Sequence, residues 1–212
     1  MDAVTALYIK VCGFSSDRTV DAAVQVGVQA IGFVLVPSAR QVSVELARTL
    51  AARVPASIDV VAVVREVDDS AVHDAISIGA RFIQGGGQAE CPPSLLHLRA
   101  YLDDAALDLP IDVDPVLVDG PRAGSGTPAD WARVSRWARR RPLILAGGLC
   151  PSTVGSAIAQ VRPYGVDVSS GIESALGEKD PELIRAFVVA ARAAHALLSS
   201  RDRALSAQLE LP

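Results

Sequence analysis

Two short apolar segments near the C-terminal end of the chain constrain its fold most. The first is 144–149, Ile-Leu-Ala-Gly-Gly-Leu, and the second is 166–171, Val-Asp-Val-Ser-Ser-Gly. The interval between them is long enough for one helix and its loops, so the pair predicts two parallel strands joined by a helix. Glycine and serine at the end of each strand leave backbone N–H groups open to an anion. The two strand ends therefore predict a phosphate site, the other interpretation being two plain strand-to-helix turns.

The same alternation of strand and helix runs through most of the chain. Apolar strands are predicted at 8–13, 30–36, 60–64, 81–84, 96–102, 116–120, 142–146 and 166–169. Helical patterns begin near residues 17, 43, 69, 131, 154 and 181, and the last of them ends near Leu198. Alternating strands and helices in one domain of this length predict a (β/α)8 TIM barrel. We expect residues 1–198 to form this domain and residues 199–212 to be a polar C-terminal tail.

The segment between Gly87 and Val116 is too short for complete βα units. Prolines interrupt it at positions 92, 93, 110 and 115, and proline disrupts helix interiors. One interpretation gives strand five at 96–102, a stub of helix at 103–109 and almost no fourth helix. The other interpretation gives a helix at 94–102 and no proper fifth strand. In either case the fourth and fifth βα units are abbreviated.

Composition excludes several classes of protein. The formal net charge is −4, and the one basic run, 139–141, precedes a proline as a solvated helix end does, which argues against nucleic acid as a partner. Apolar residues come in short runs, and residues 1–4 lack a basic patch before an apolar segment, so neither a membrane span nor a signal peptide is expected. Cys12, Cys91 and Cys150 have no C-x-x-C spacing, which argues against a disulfide framework and a zinc site. A cytoplasmic protein without a metal is therefore expected.

Four residues that could carry chemistry lie at or just after predicted strand ends. Cys12, Asp119 and Asp167 end the first, sixth and eighth strands, and Arg40 lies in the loop after the second. Each has a plainer explanation, such as a small core residue, a turn-forming aspartate or a solvated arginine. In a parallel barrel, however, all four meet at the mouth that holds the predicted phosphate site, which is where such barrels carry their active sites.

Five segments of the sequence resemble one enzyme family. Residues 10–13, Lys-Val-Cys-Gly, match an opening Lys-x-Cys-Gly motif, and residues 32–43 end in Arg-Gln-Val-Ser, like that family's second-strand segment. Residues 117–131 are similar to its acid-bearing segment. The most specific match is at the C-terminal end, where 146–151 read Ala-Gly-Gly-Leu-Cys-Pro and 166–180 contain Val-Asp-Val-Ser-Ser-Gly-Ile-Glu and Gly-Glu-Lys-Asp. From about residue 9 to residue 190, the chain resembles the phosphoribosylanthranilate isomerases of tryptophan biosynthesis.

The resemblance implies an Amadori rearrangement that needs neither a cofactor nor a metal. The substrate, N-(5-phosphoribosyl)anthranilate, is an aminoaldose that becomes the corresponding 1-deoxyribulose. An acid must protonate the ring oxygen, and a base must then remove the proton on C2. By resemblance Asp119 is the acid and Cys12 is the base. Both roles require shifted pKa values, because at neutral pH an ordinary aspartate is ionised and an ordinary thiol is mostly protonated.

The resemblance also implies which residues hold the substrate. Arg40 would grip the anthranilate carboxylate, because a guanidinium fork matches two oxygen atoms. Gln84 and Gly126 would line the substrate site, and Asp167 would lie near the ribose hydroxyls. The phosphate would be held by five residues of the last two strand ends: Gly147, Gly148, Ser169, Ser170 and Gly171. Lys10 and Lys179 are expected to have structural roles.

The sequence departs from the family at the fourth strand, where Gln-Leu-His-Gly is usual and residues 84–87 read Gln-Gly-Gly-Gly. The histidine position is Gly86, so we expect a polar group to be lost and flexibility gained. His73, in the third helix, and His97, in the fifth strand, do not replace it. Two other functions therefore stay open: a phosphosugar isomerase with a changed substrate, or a non-catalytic barrel that binds a phosphorylated ligand. The histidine-pathway isomerase is disfavoured because it typically has Asp where this chain has Cys12. A monomer and a homodimer are both compatible with the sequence.

Overall fold

The computed structural model describes residues 6–87, 90–103, 115–122 and 125–209. Eight parallel strands close a barrel in chain order. The strands are β1 Tyr8–Cys12, β2 Ala30–Val34, β3 Asp59–Glu66, β4 Phe82–Gly86, β5 Leu96–Leu102, β6 Val116–Asp119, β7 Leu143–Leu145 and β8 Gly165–Val168. β8 pairs with β1, which closes the barrel with Val168 opposite Val11. The TIM barrel predicted from the alternation of strands and helices is confirmed.

Helices and a short hairpin follow the strands. The helices are α1 Asp17–Val26, α2 Val44–Ala51, α3 Asp69–Ser77, α4 Trp131–Ala138, α5 Val154–Val161 and α6 Pro181–Leu209. A 3-10 helix at Ser170–Ile172 and a hairpin of β9 Glu173–Ala175 with β10 Glu178–Lys179 come between β8 and α6. Side-chain caps fix several helix starts, as where Ser43 accepts a hydrogen bond from the Leu46 N–H.

The abbreviated middle of the barrel keeps its fifth strand. Leu96–Leu102 is a strand that pairs with β4 on one side and β6 on the other, so the interpretation of this segment as strand five is confirmed. The alternative helix at 94–102 is wrong, because both sheet neighbours require its extended backbone. Among the described residues between β4 and β5 there is no helix. The predicted helix stub at 103–109 lies outside the described residues beyond Asp103.

Alternation along each strand produces two separate cores. Side chains that point into the barrel form a small inner cluster around Leu98, Leu117, Ile144 and Ala146. Side chains that point outward pack under the helices and form the larger core. This arrangement follows from the period of two in a strand, which places successive residues on opposite faces. The inner cluster fills the barrel below its mouth, so polar strand-end residues above it can face a cavity.

The last helix is longer than the sequence predicts. Ile184, Phe187, Val188 and Ala191 are fully buried against the barrel and give α6 its packing face. The expected end near Leu198 is wrong, because the helix continues to Leu209. The alanine, leucine and arginine residues of that extension are good helix formers. The assignment of residues 199–212 to a tail outside the domain stays a prediction.

By length and composition alone, α6 is apolar enough to cross a membrane. Its buried face nevertheless packs on the barrel, and Arg192 from this helix donates hydrogen bonds to the carbonyl oxygens of Val26 and Gly27 at the end of α1. These contacts assign α6 to the outer helical layer of the barrel.

Candidate active site

A cavity of about 440 Å³ opens at the carboxyl ends of the barrel strands. Six predicted site residues line it together: Cys12, Arg40, Gln84, Asp119, Asp167 and Ser169. Parallel strands bring their carboxyl ends to one edge, which explains why residues more than a hundred positions apart in sequence meet here. The sequence-based expectation that these side chains converge on one mouth agrees with their placement.

Cys12 is the last residue of β1 and is buried at the cavity. Its neighbour in register on β2 is Gly32, and a Cβ atom there would lie only 2.9 Å from Cys12 Sγ. Glycine at position 32 therefore provides the space for the thiol. Burial raises the pKa of Cys12, and the nearby cations of Lys10 and Lys179 oppose this effect without overcoming it. Burial thus favours the thiol form over the thiolate expected of a base.

Lys10 and Asp167 form a buried ion pair beneath the cavity. Lys10 Nζ lies 2.9 Å from Asp167 Oδ1, and the lysine side chain is completely inaccessible to solvent. Burial disfavours the lysine charge, but Asp167 and Cys12 outweigh it and raise the pKa of Lys10. The structural role expected for Lys10 matches this pairing. Asp167 was expected near the ribose hydroxyls, and it lines the cavity while one of its oxygen atoms accepts a hydrogen bond from Lys10.

Asp119 ends β6 and lies at the junction of two cavities. Its Oδ1 accepts a hydrogen bond of 2.8 Å from the Gly120 N–H. The β7 loop approaches closely, because a Cβ atom on Gly147 would lie 2.5 Å from Gly120 N and 3.1 Å from Asp119 Oδ1. Glycine at position 147 therefore allows the loop after β7 to reach the carboxylate.

A smaller pocket of about 40 Å³ adjoins the large cavity and shares Asp119, Asp167 and Ser169 with it. Six of the residues predicted to bind substrate or phosphate line this pocket: Gly126, Gly147, Gly148, Asp167, Ser169 and Ser170. Gly148 has a φ of 63°, and a Cβ atom there would lie 2.7 Å from the Gly126 carbonyl oxygen. Glycine at this position is thus required by both backbone conformation and space.

Gly171 is the one predicted phosphate residue that does not line the small pocket. It lies in the 3-10 helix, and a Cβ atom there would be 1.9 Å from the Leu149 carbonyl oxygen. Its part is to let the loops after β7 and β8 pack against each other. A contact between its backbone and a phosphate stays a prediction.

Arg40 is held by a residue to which the sequence reasoning gave no role. Its Nε lies 2.6 Å from Glu173 Oε1 and its Nη2 lies 3.0 Å from Glu173 Oε2. Lys179 Nζ also donates to Glu173 Oε1, at 2.5 Å. Burial works against the Glu173 charge, but hydrogen bonds from Arg40 and Lys179 outweigh it and lower the pKa of Glu173 to about 2. The signal available in sequence was an acidic residue within the most specific motif, six positions before Lys179.

The triple glycine of residues 85–87 lies against the end of β3. Gly85 and Gly86 belong to β4, which ends two residues later than predicted, and Gly87 follows with a φ of 85°. A Cβ atom on Gly86 would lie 3.1 Å from both carboxylate oxygens of Glu66. The carboxylate of Glu66 thus lies beside the position of the family's histidine. Arg65 from the same strand end lines the large cavity, and it is a second residue that sequence reasoning missed.

Gln84 is buried at the cavity, and its Oε1 has no hydrogen-bond partner among the residues that the structure describes. His97 Nε2 lies 3.1 Å from the Gly85 carbonyl oxygen, so this histidine serves the β4–β5 contact. Within the described ranges, no group of three or more His, Cys, Asp or Glu side chains is placed to hold a metal ion. The site is thus built from hydrogen-bonding and charged side chains over an apolar floor.

Comparisons with known proteins agree with this geometry. Residues 96–190 match the family model for N-(5'-phosphoribosyl)anthranilate (PRA) isomerase. A relative of that name from Streptococcus pneumoniae is 37% identical over 186 residues, which cover 85% of this chain and 93% of the relative.

Two solved structures resemble the barrel closely. TrpF from Jonesia denitrificans has a TM-score of 0.75 and 39% identity, covering 89% of this chain and 98% of its own. A phosphoribosylanthranilate isomerase in complex with reduced 1-(o-carboxyphenylamino)-1-deoxyribulose 5-phosphate has a TM-score of 0.73 and 27% identity, covering 88% of this chain and 99% of its own. Taken together with the site, these likenesses show that the chain belongs to the phosphoribosylanthranilate isomerase family.

Proposed function

We propose that this chain converts N-(5-phosphoribosyl)anthranilate into 1-(2-carboxyphenylamino)-1-deoxyribulose 5-phosphate in tryptophan biosynthesis. The observation that carries this proposal is the placement of Cys12 and Asp119 on one cavity that adjoins a glycine- and serine-lined pocket. A phosphate held in the small pocket would leave the attached sugar beside both residues. An acid and a base on the two sides of one sugar are what an aldose–ketose isomerisation needs.

Asp119 acts first, as the acid that opens the ring. Its protonated carboxyl donates a proton to the furanose oxygen, and the bond between that oxygen and C1 breaks with its electron pair on the oxygen. The anthranilate nitrogen contributes its lone pair to C1, which gives a protonated Schiff base. The short bond between Asp119 Oδ1 and the Gly120 N–H fixes the carboxyl plane for this transfer.

Cys12 then acts as the base. Its thiolate removes the proton on C2, and the released electron pair gives an enolamine as the C=N bond becomes C–N. Loss of the C2 hydroxyl proton and gain of a proton at C1 complete the ketone, so no atom is gained or lost overall. Burial raises the pKa of the Cys12 thiol, which opposes this role. The protonated Schiff base adds a cation to those of Lys10 and Lys179, and nearby cations favour a thiolate.

The remaining predicted site residues bind the substrate. Arg40 meets the anthranilate carboxylate, and Asp167 lies near the ribose hydroxyls. Gln84 Oε1 accepts a hydrogen bond from the substrate, which would satisfy a buried acceptor that has no partner among the described residues. The phosphate is held by Gly126 together with the two loops after β7 and β8, at Gly147, Gly148, Ser169, Ser170 and Gly171.

A fluorescence assay with freshly prepared phosphoribosylanthranilate tests the proposal. We expect signal decay faster than spontaneous hydrolysis, and a loss of about 10²- to 10⁴-fold in rate for Asp119→Asn. Cys12→Ser should abolish turnover while leaving the affinity for the reduced product analogue largely intact. Full activity in Cys12→Ser would refute its role as base. A wild-type protein that binds the analogue without turnover would support the changed-substrate or non-catalytic function.

We further propose a cytoplasmic location and a monomeric or homodimeric state. Cys12, Cys91 and Cys150 are all free thiols, which supports a reducing compartment. Light scattering of the purified protein distinguishes the two oligomeric states.

A further inference from the structure

The carboxylate of Glu173 accepts four hydrogen bonds from within the chain, although it lies beside the cavity. Two donors come from Arg40, one from Lys179 and one from the Gly177 N–H at 3.2 Å. The exposed fractions of the Glu173 and Arg40 side chains are 5% and 10%. Buried charges are stable only when they are paired and hydrogen-bonded, so this arrangement fixes the carboxylate in one orientation.

Lys179 donates to the same Glu173 oxygen atom, Oε1, as Arg40 Nε does. Its ammonium group donates to Ser169 O at 3.0 Å, to Ser169 Oγ at 3.1 Å and to Glu173. An ammonium has three N–H groups, so all of them are used within the chain. Ser169 Oγ in turn donates to the Cys12 carbonyl oxygen at 3.0 Å. The support of Glu173 is therefore anchored to the β8 loop and to β1 beneath the cavity.

The bonds to Glu173 engage one particular edge of the Arg40 guanidinium. Glu173 receives the Nε and Nη2 groups, which form one of the two edges that can meet a carboxylate. A long arginine side chain has many rotamers, and fixing them before a ligand arrives reduces the entropic cost of binding.

We propose that Glu173 is a positioning residue that fixes the Arg40 guanidinium for the carboxylate of the substrate, and that Lys179 supports it. This inference rests on the proposed function, in which Arg40 meets the anthranilate carboxylate. Glu173 itself touches no substrate atom in this arrangement and acts through Arg40.

An electrostatic role and a positioning role of Glu173 predict opposite changes in ligand affinity when the residue is neutralised. Glu173→Gln removes one negative charge near a site for an anionic ligand, so a purely electrostatic effect would tighten binding. Glutamine keeps the size of the side chain but has one acceptor oxygen instead of two, so it loses the paired arrangement in which each oxygen receives one Arg40 donor. If Glu173 positions Arg40, the same substitution weakens binding of the carboxylate.

Two ligands isolate the effect. The first is the reduced product analogue, which carries the carboxylate, and the second is the matching analogue with a plain phenylamino group. Calorimetric titration of wild type and Glu173→Gln with both ligands measures two dissociation constants for each protein. Their ratio gives the preference for the ligand that carries the carboxylate. We expect Glu173→Gln to weaken the first ligand about tenfold and the second by less than about twofold. Glu178→Gln is the matched control, because Glu178 is an exposed residue of the same hairpin, and it should change neither affinity.

Arg40→Gln separates failure of this inference from failure of the proposed function. If Arg40→Gln weakens both ligands equally, Arg40 does not bind the carboxylate and the proposed role of Arg40 fails. The other outcome is that Arg40→Gln weakens the binding of only the ligand that carries the carboxylate. If Glu173→Gln then weakens the binding of both ligands equally, or strengthens the binding of the first, Glu173 does not position Arg40. Should Glu173→Gln not fold, Glu173→Asp keeps the charge, withdraws it by one methylene, and is expected to lose the same preference. Retention of the full preference by Glu173→Asp would overturn the inference.

Discussion

The sulfur of Cys12 occupies the space that a side chain at Gly32 would need. A Cβ atom at position 32 would lie 2.9 Å from Cys12 Sγ and 3.3 Å from Cys12 Cα. The two residues face each other in register across β1 and β2. The identity of residue 32 therefore fixes where the proposed base can lie, and this relationship yields the first of five predictions.

Gly32→Ala should displace the thiol. We expect turnover to fall about 10- to 100-fold, because small displacements of a reacting group are costly, and stability to fall by about 1–3 kcal/mol from overpacking. Steady-state kinetics and urea unfolding measure the two effects. Gly155→Ala is the control, because the nearest atom to a Cβ there is 3.8 Å away and the residue lies within α5. Normal turnover in Gly32→Ala would contradict the crowding of Cys12.

Lys10→Met should be far more destabilising than loss of a surface ion pair. The change leaves the Asp167 carboxylate buried without its partner, which costs about 3–5 kcal/mol. Arg81→Met removes a pair with Asp59 in which Arg81 is 64% exposed, so its cost should be below about 1 kcal/mol. Urea unfolding compares both variants with wild type. Adding Asp167→Asn to Lys10→Met should recover part of the lost unfolding free energy. Equal stabilities of Lys10→Met and Arg81→Met would show that Lys10→Met does not leave a costly unpaired charge on Asp167.

Gly148→Ala should weaken the binding of phosphate specifically. Its φ of 63° and the 2.7 Å approach of the Gly126 carbonyl oxygen force the loop to move. Inorganic phosphate should inhibit this variant about tenfold more weakly than wild type, a change of about 1.4 kcal/mol. Gly79→Ala is the control, because Gly79 has a similar φ of 72° and nothing lies within 4 Å of a Cβ atom there. The control therefore introduces the same backbone strain of about 1–2 kcal/mol without affecting the pocket. Equal phosphate inhibition of the two variants would argue against this pocket.

Acid should remove a stabilising contribution that depends on Glu173. Its pKa is lowered to about 2, so its contribution is complete above the unfolded value of about 4.3 and is lost as the pH falls through about 2. The shift corresponds to about 3 kcal/mol at most. Unfolding free energies measured between pH 5 and pH 2 should therefore fall more steeply in wild type than in Glu173→Gln. Parallel curves would show that the carboxylate is not selectively stabilised in the fold.

Removing residues 199–212 should leave the enzyme intact. The buried face of α6 ends before this segment, and residues 200–204 are exposed. Within the described part of the segment, the ion pair of Asp202 with Arg162 is itself solvent-exposed, so its loss should cost less than about 1 kcal/mol. Turnover and thermal unfolding of the truncated chain check the predicted domain boundary. A large loss of either would place the segment within the domain.

Local sequence pattern predicts the barrel well because each strand is a short apolar run with its own stop signal. Pro37 and Gly13 follow strand ends that the structure places within three residues of the expected ones. The sequence does not predict the extension of β4 to Gly86, because this extension depends on the end of β3, whose atoms would lie only 3.0–3.4 Å from Cβ atoms at Gly85 and Gly86. The extension of α6 was missed because its polar composition suggested a tail, whereas its helix formers continue the last turn.

The sequence predicts a site residue only where a reactive side chain lies at the end of an apolar strand. Cys12 and Asp119 are visible in sequence because both end apolar strands. The partners of Arg40 and Asp167 are not visible, since Glu173 and Lys10 lie 133 and 157 positions away and no periodic pattern connects them. Lys10 and Asp167 are neighbours in register on β1 and β8, and Arg40 and Glu173 follow β2 and β8, so both ion pairs appear only once the barrel has closed.

The seam between β1 and β8 has a consequence for synthesis in the cell. Ser169 donates to the Cys12 carbonyl from 157 positions downstream, so the cavity is completed only when the last strand is available. At ordinary translation speeds the ribosome needs roughly 8 to 30 s to add that stretch. During that time the first strand of the nascent chain lacks its partner on the β8 side, next to the thiol of Cys12. Any cellular factor that shields sulfur or strand edges on emerging polypeptides would therefore find its target at the very beginning of this chain.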